Sequence, residues 1–212
     1  KGKTFYGVYR TISAIDRLRT PERISIVGIG KSKDGVHFED RVPFIAPEEE
    51  WEKYGCEDPR VTFFEGKWYC FYTALGGYPY GPDNIKVAVA IGDAPDNFTE
   101  RHLITPFSAK AATLFPERID GDIVMLLTAH TDFTEKYPRP TIALARAKKI
   151  EDFFNPDYWH DWHDTLSDHA IPELRRARGE DKDHIEVGAS PLLTDHGWLL
   201  IYSHILDYYD ES

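Results

Sequence analysis

The strongest constraint on this chain is a pattern that returns along it: a short apolar stretch, a turn carrying glycine, a strongly apolar strand, a loop, and a further β-branched strand. One copy runs through Arg60-Val61-Thr62-Phe63-Phe64 and turns at Glu65-Gly66. It continues along Lys67-Trp68-Tyr69-Cys70-Phe71-Tyr72-Thr73, with 85–90 as its third strand. A second copy runs 112–118, turns at Asp120-Gly121, continues 122–127 and adds 141–145. A third holds 189–193, a turn at Asp195-His196-Gly197, and 198–202. An earlier partial copy holds 3–9 and 24–29, with a hairpin expected at Lys33-Asp34-Gly35 before Val36-His37-Phe38. Runs apolar on both sides suit small antiparallel sheets packed face to face, and repeats of this length suit an all-β propeller better than a sandwich. The segments 60–74, 112–128 and 189–203 are each expected to supply two inner strands of successive blades, within one domain over 1–212.

Composition narrows the partners. A formal net charge of -11 repels phosphate-rich surfaces, so neither nucleic acid nor an anionic membrane is the expected partner. No apolar run approaches membrane-spanning length. An aromatic content of 14% together with abundant carboxylates fits a carbohydrate ligand, whose ring faces stack and whose hydroxyls need acceptors. The two cysteines, Cys56 and Cys70, make no disulfide framework and match no metal-site spacing. They fit a reducing compartment, so a cytoplasmic location is expected, with the periplasm as the alternative. No cofactor or metal is expected.

Segment 148–183 breaks the repeat. It is read as a long, solvated excursion, with one or two helical turns over 172–178. His160-Asp161-Trp162-His163-Asp164 has metal-like composition but no further ligand cluster, and is read as part of the same loop. Gly28-Ile29-Gly30 lacks the following helix of a dinucleotide site and reads as a packed strand.

Candidate chemistry gathers at Gly55-Cys56-Glu57-Asp58-Pro59-Arg60, directly before a repeat's first strand. In a propeller, carboxylates at the start of an innermost strand point into the central funnel. Adjacent residues of an extended chain face opposite ways, so at most one of Glu57 and Asp58 is expected to face a ligand. Tyr72, Tyr78 and Tyr80 lie on or after a strand end, where a ring can stack on sugar; Trp68, Trp198 and Tyr202 read as core.

Glu57-Asp58-Pro59-Arg60, followed by a strand, Gly66-Lys67-Trp68-Tyr69 and Tyr72-Thr73-Ala74, resembles the signature of glycoside hydrolase family 130. Leu114-Phe115-Pro116-Glu117-Arg118-Ile119-Asp120-Gly121, with Lys110 upstream, resembles that family's next motif. Gly188-Ala189-Ser190-Pro191 through 197–202 resembles its third, and Tyr9-Arg10 with 31–38 its first. The resemblance implies a five-bladed propeller of which about four blades are covered. The remainder is expected either outside this chain or through association with another copy.

The resemblance also implies an inverting phosphorylase or hydrolase acting on β-mannosides, with an oligosaccharide or glycan substrate. Asp58 becomes the general acid, which in the phosphorylases delivers its proton through a sugar hydroxyl. Arg10, Glu57, Arg60, Tyr72, Lys110 and Glu117 become substrate-binding residues. Two departures bear on the reaction. Leu127 and Thr128 stand where the family pattern has His-Arg near the phosphate, and Glu186 stands where it has Gly. Losing cations and gaining a carboxylate favours hydrolysis, with Glu186 as general base across the ring from Asp58. Phosphorolysis is the first alternative, and a non-catalytic glycan-binding propeller the second.

Overall fold

Strands come in consecutive antiparallel groups, each too small to cover its own faces. The computed structural model describes residues 3–12, 24–130, 140–171, 174 and 183–208. The first group holds β1 (Phe5–Ile12), β2 (Ser25–Ser32) and β3 (Glu39–Ile45). The second is a four-stranded meander of β4 (Gly55–Phe64), β5 (Lys67–Leu75), β6 (Ile85–Ala94) and β7 (Asn97–Leu103). The third holds β8 (Ala109–Leu114), β9 (Ile123–Ala129) and β10 (Thr141–Ala147). The fourth holds β11 (His184–Val187), the hairpin of β12 (Leu192–Thr194) and β13 (Gly197–Leu199), and β14 (Tyr202–Ile205), which pairs with β11. A single parallel contact, Ser25 to Gly55, joins the first two groups into one seven-stranded sheet. No sheet closes on itself among the described residues.

Alternation along the strands explains why the groups stack. On β5, Phe71 and Tyr69 face the third group and pack with Leu114, Ile123, Met125 and Leu127. The opposite face of β5, with Cys70, Tyr72 and Ala74, packs against Val27 and Ile45 of the first group. On β9, Val124 and Leu126 turn the other way and meet Ile185 and Val187 of the fourth. Three apolar cores thus lie between four consecutive strand groups, which is why these strands are apolar on both sides. Cys56 and Cys70 are free and buried in one of these cores.

The strand pairs expected in 60–74 and 112–128 form as β4–β5 and β8–β9. Segment 189–203 departs from expectation. Its hairpin is short, and the chain then changes partner to run beside β11. Gly188 permits the change: its N–H donates to Ile201 O at 2.8 Å. A Cβ there would sit 2.7 Å from the same oxygen.

The solvated excursion is also corrected. Residues Ile150–Phe154 form a 3-10 turn, and α1 (Pro156–Asp164) and α2 (Leu166–His169) follow. Asn155 caps α1 by accepting the Asp157 N–H, with Pro156 opening the helix. Trp159 and Trp162, three residues apart, share one face and are buried against the third group. Their indole N–H groups donate to Phe153 O at 2.8 Å and Leu144 O at 3.1 Å. His160–Asp164 is therefore helix with a buried tryptophan, not loop. The helical turns expected over 172–178 fall almost wholly outside the described residues. No helix among the described residues is long and apolar enough to cross a membrane.

Candidate active site

The expected alternation of Glu57 and Asp58 does not hold, and the reason is a bulge. Glu57 pairs with Thr73 and Arg60 with Phe71, so Asp58 and Pro59 together oppose Tyr72. Asp58 takes φ +50, a left-handed conformation that Asp tolerates better than most residues. The twist brings both carboxylates to one guanidinium. Arg10 of β1 lies 2.7 Å from Glu57 Oε1 and 3.5 Å from Asp58 Oδ1.

Glu57 is further fixed by Ser25 Oγ, which donates to it at 2.7 Å. Gly55 makes that approach possible: at φ +149, a Cβ there would meet Ser25 Oγ at 2.5 Å. Two buried polar atoms nearby, Arg10 Nε and Thr73 Oγ1, have no partner among the described residues, the mark of a polar site rather than a finished core.

The third group repeats the device. Lys110 pairs with Thr128 and Thr113 with Leu126, so Ala111 and Ala112 oppose Leu127, and Ala111 has φ +54. Lys110 thus occupies in β8 the place that Glu57 occupies in β4. The fourth group supplies Glu186 from β11. Its carboxylate lies 2.7 Å from Lys110 Nζ, 3.3 Å from Arg60 Nη2 and 3.3 Å from His184 Nε2. Arg60 also donates to the backbone oxygens of Asp58 at 2.8 Å, Val187 at 2.5 Å and Gly188 at 2.6 Å. It therefore ties the Asp58 bulge to the Glu186 strand. Burial pushes the Glu186 carboxyl up, but His184, Lys110 and Arg60 outweigh it and hold it at about 2.

Arg10, Glu57, Asp58, Arg60, Lys110 and Glu186, taken from all four strand groups, are thus brought to one cluster with three cations facing three carboxylates. Asp58 is the more open acid, its side chain 30% exposed against 12% for Glu57. Two expected residues lie elsewhere. Tyr72 is only 1% exposed and its hydroxyl donates to Glu52 at 2.5 Å, so its ring is core and meets no sugar. Alternation explains this: Tyr72 shares its strand face with Cys70 and Ala74. Glu117 is exposed on the turn after Leu114, at the opposite end of β8 from Lys110. With about 3.3 Å of rise per strand residue, it is well beyond reach of the cluster. Among the stacking candidates, Tyr78 is 45% exposed and packs edge-on against Tyr80.

Two participants escaped sequence reading: Ser25, which pairs with Gly55 of β4 and donates to Glu57, and His184, which sits two residues from Glu186. Thr128, expected only as the loss of a cation, accepts the Val187 N–H at 3.0 Å. Only the i, i+2 spacing of His184 and Glu186 on one strand face was a readable signal.

The family described as β-1,4-mannooligosaccharide phosphorylase matches residues 7–209. The chain belongs to glycoside hydrolase family 130. It is 29% identical over 200 residues to a 1,2-β-oligomannan phosphorylase of Thermoanaerobacter sp. (strain X514), covering 93% of this chain and 59% of that protein. The structure of a β-1,2-mannobiose phosphorylase from Listeria innocua, in complex with β-1,2-mannobiose, superposes with a TM-score of 0.65. There the identity is 23%, over 85% of this chain and 45% of that one. A family 130 structure from work on glycoside hydrolases that target β-1,2 mannosidic linkages in Candida mannan gives a TM-score of 0.62. It is 18% identical, over 94% of this chain and 56% of that one. The chain thus spans roughly half the length of the family 130 proteins it matches.

The ion cluster has a pH signature. The folded value of Glu186, about 2, lies below its ordinary 4.5. Its contribution to stability is therefore complete above the ordinary value and is lost as pH falls through the folded one. Urea titrations of wild type and Glu186→Gln should differ by a constant amount from neutral pH down to about 5, and converge near pH 2. A difference that persisted unchanged at pH 2 would show that the ion pairs contribute nothing to it.

Proposed function

We propose that this protein cleaves β-linked mannosides by phosphorolysis with inversion, Asp58 supplying the proton and Arg60 with Lys110 receiving the phosphate. The observation that carries this reading is the convergence of Arg60 and Lys110 on a single anion beside Asp58, in a family 130 chain whose curated relatives are named as mannoside phosphorylases. A phosphate oxygen attacks the anomeric carbon from the face opposite the leaving oxygen. The glycosidic C–O bond breaks with its electron pair on that oxygen. The Asp58 proton neutralises the oxygen, directly or through a sugar hydroxyl, and the products are α-mannose 1-phosphate and a sugar shortened by one residue. The five-bladed propeller is part of the same proposal: consecutive strand groups with a core between each pair, in a chain about half as long as its relatives, fit four blades of a larger ring.

Hydrolysis is the second reading, favoured by the carboxylate of Glu186 among the cations and by Leu127 and Thr128, where the family resemblance places His and Arg. A base must take a proton as water attacks, and a group held at about 2 is poorly matched to that task near neutral pH. Both carboxylate oxygens of Glu186 are also engaged.

The test is the dependence of β-mannobiose consumption on inorganic phosphate in the intact protein. Turnover should rise from near zero and saturate with phosphate. Lys110→Met should raise the KM for phosphate by roughly tenfold or more, the worth of one charge-assisted contact, with a smaller change for the mannoside. Equal turnover with and without phosphate would replace this reading by the hydrolytic one.

A further inference from the structure

An exposed aromatic ring stands at the edge of the ion cluster, where sequence reading placed none. Tyr208 follows β14 and is 45% exposed. Its ring stacks on the buried imidazole of His184, with centroids 4.6 Å apart and planes inclined by 26°. Lys110 Nζ lies 5.9 Å from the centre of the same ring. Both neighbours touch Glu186: His184 Nε2 at 3.3 Å and Lys110 Nζ at 2.7 Å. The ring is therefore one contact away from the carboxylate that Arg60 links to the Asp58 bulge. Stacking on a buried residue fixes the ring plane in advance, so little side-chain freedom remains to be lost when a ligand arrives.

We propose that Tyr208 is a sugar platform of this site, its ring receiving the C–H face of a pyranose held beside Lys110 and Glu186. A β-mannopyranoside in its chair presents the axial hydrogens of C1, C3 and C5 on one face. That face is apolar and carries slight positive charge, and it complements the negative face of an aromatic ring. The hydroxyls at the rim of the same sugar then point toward charged side chains, the usual division of labour in a ligand site. The inference rests on the mannoside reading above, and its test separates the two.

Calorimetric titration of the intact protein would use β-1,2-mannobiose and, separately, cellobiose, whose β-glucosyl rings offer the same C–H face. Tyr208→Ala should weaken mannobiose binding by roughly tenfold or more, and Tyr208→Phe should stay within about twofold of wild type, because the ring face and not the hydroxyl is used. Both variants should melt with wild type, since the residue is half exposed. Unchanged affinity in the Ala variant would overturn the platform, as would an equal loss in the Phe variant. Binding of cellobiose but not mannobiose, with the same Ala loss, would keep the platform and overturn the mannoside reading. Binding of neither sugar would overturn both.

Discussion

Asp58→Asn should lower turnover of β-mannosides by about 10²–10⁴-fold, the range expected when a general acid is removed. The substitution isolates the proton. Asn is as tolerant as Asp of the left-handed φ of +50 that this bulge imposes, so the backbone has no reason to change. The amide still offers an oxygen to Arg10, which lies 3.5 Å from Asp58 Oδ1. Asp58→Ala would mix two effects, because Ala has no side-chain oxygen for Arg10 and fits the left-handed bulge less well. Glu57→Gln should cost less than Asp58→Asn: Ser25 and Arg10 both hold Glu57 in place, which is a positioning role. Measured kcat and melting temperature decide it. A kcat within a few fold of wild type in a fully folded Asp58→Asn protein would remove Asp58 from the chemistry.

The largest effect on stability is expected at Glu52. This residue is 0% exposed and closes the 3-10 turn Glu50–Glu52, just before β4. Its carboxylate accepts from Arg101 Nη1 at 2.5 Å, Tyr72 Oη at 2.5 Å, the backbone N–H of Glu48 at 2.9 Å and of Glu49 at 3.2 Å, and Cys56 Sγ at 3.6 Å. A buried carboxylate is tolerable only with such a set of donors. Glu52→Gln puts an amide N–H₂ among groups that all donate and removes the buried counter-charge of Arg101, leaving it the exposed Glu48 at 3.3 Å. The expected loss is about 3–5 kcal/mol, the usual cost of breaking a buried ion pair from one side. Urea unfolding measures it directly. A loss below about 1 kcal/mol would mean that water replaces the missing acceptor and that Glu52 does not anchor the start of β4. Because Cys56 and Tyr72 flank the Asp58 bulge in the β4–β5 ladder, a loosened Glu52 should also lower activity before the protein unfolds.

Much of the fold was legible because its signals are local. Glu65-Gly66 turns between β4 and β5, and Ser32 with Asp34 closes the turn before β3 by hydrogen bonds to the N–H groups of residues 34–37. The apolar runs of β5 and β9 predicted burial on both faces, and both faces are buried. The site residues Arg10, Asp58, Lys110 and Glu186 stand out as charges within the strands β1, β4, β8 and β11. Resemblance, not spacing, identified them as one site.

What failed needed long-range information. The left-handed turns at Asp58 and Ala111 involve no glycine, so nothing in the chain announces the bulges that break strict alternation. Tyr72 looked free because its partner, Glu52, lies twenty residues earlier in the chain. Helix α1 carries only two large apolar residues on its buried face, too few for periodicity to stand out, although Asn155-Pro156 was a readable start signal. The lysine and arginine partners of Glu186, expected as a general base, could not be read from spacing. The cations that hold it come from strands more than seventy residues away.

The central claim is that this cluster directs an external anion against the anomeric carbon of a β-mannoside, while Asp58 protonates the leaving oxygen. Following β-1,2-mannobiose and inorganic phosphate by ¹H and ³¹P NMR during the first turnovers of the intact protein tests it most directly. The account predicts a growing α-mannose 1-phosphate signal matched by an equal amount of free mannose. Two mannoses released for each mannobiose with phosphate unchanged, or a β-configured phosphate product, would contradict it.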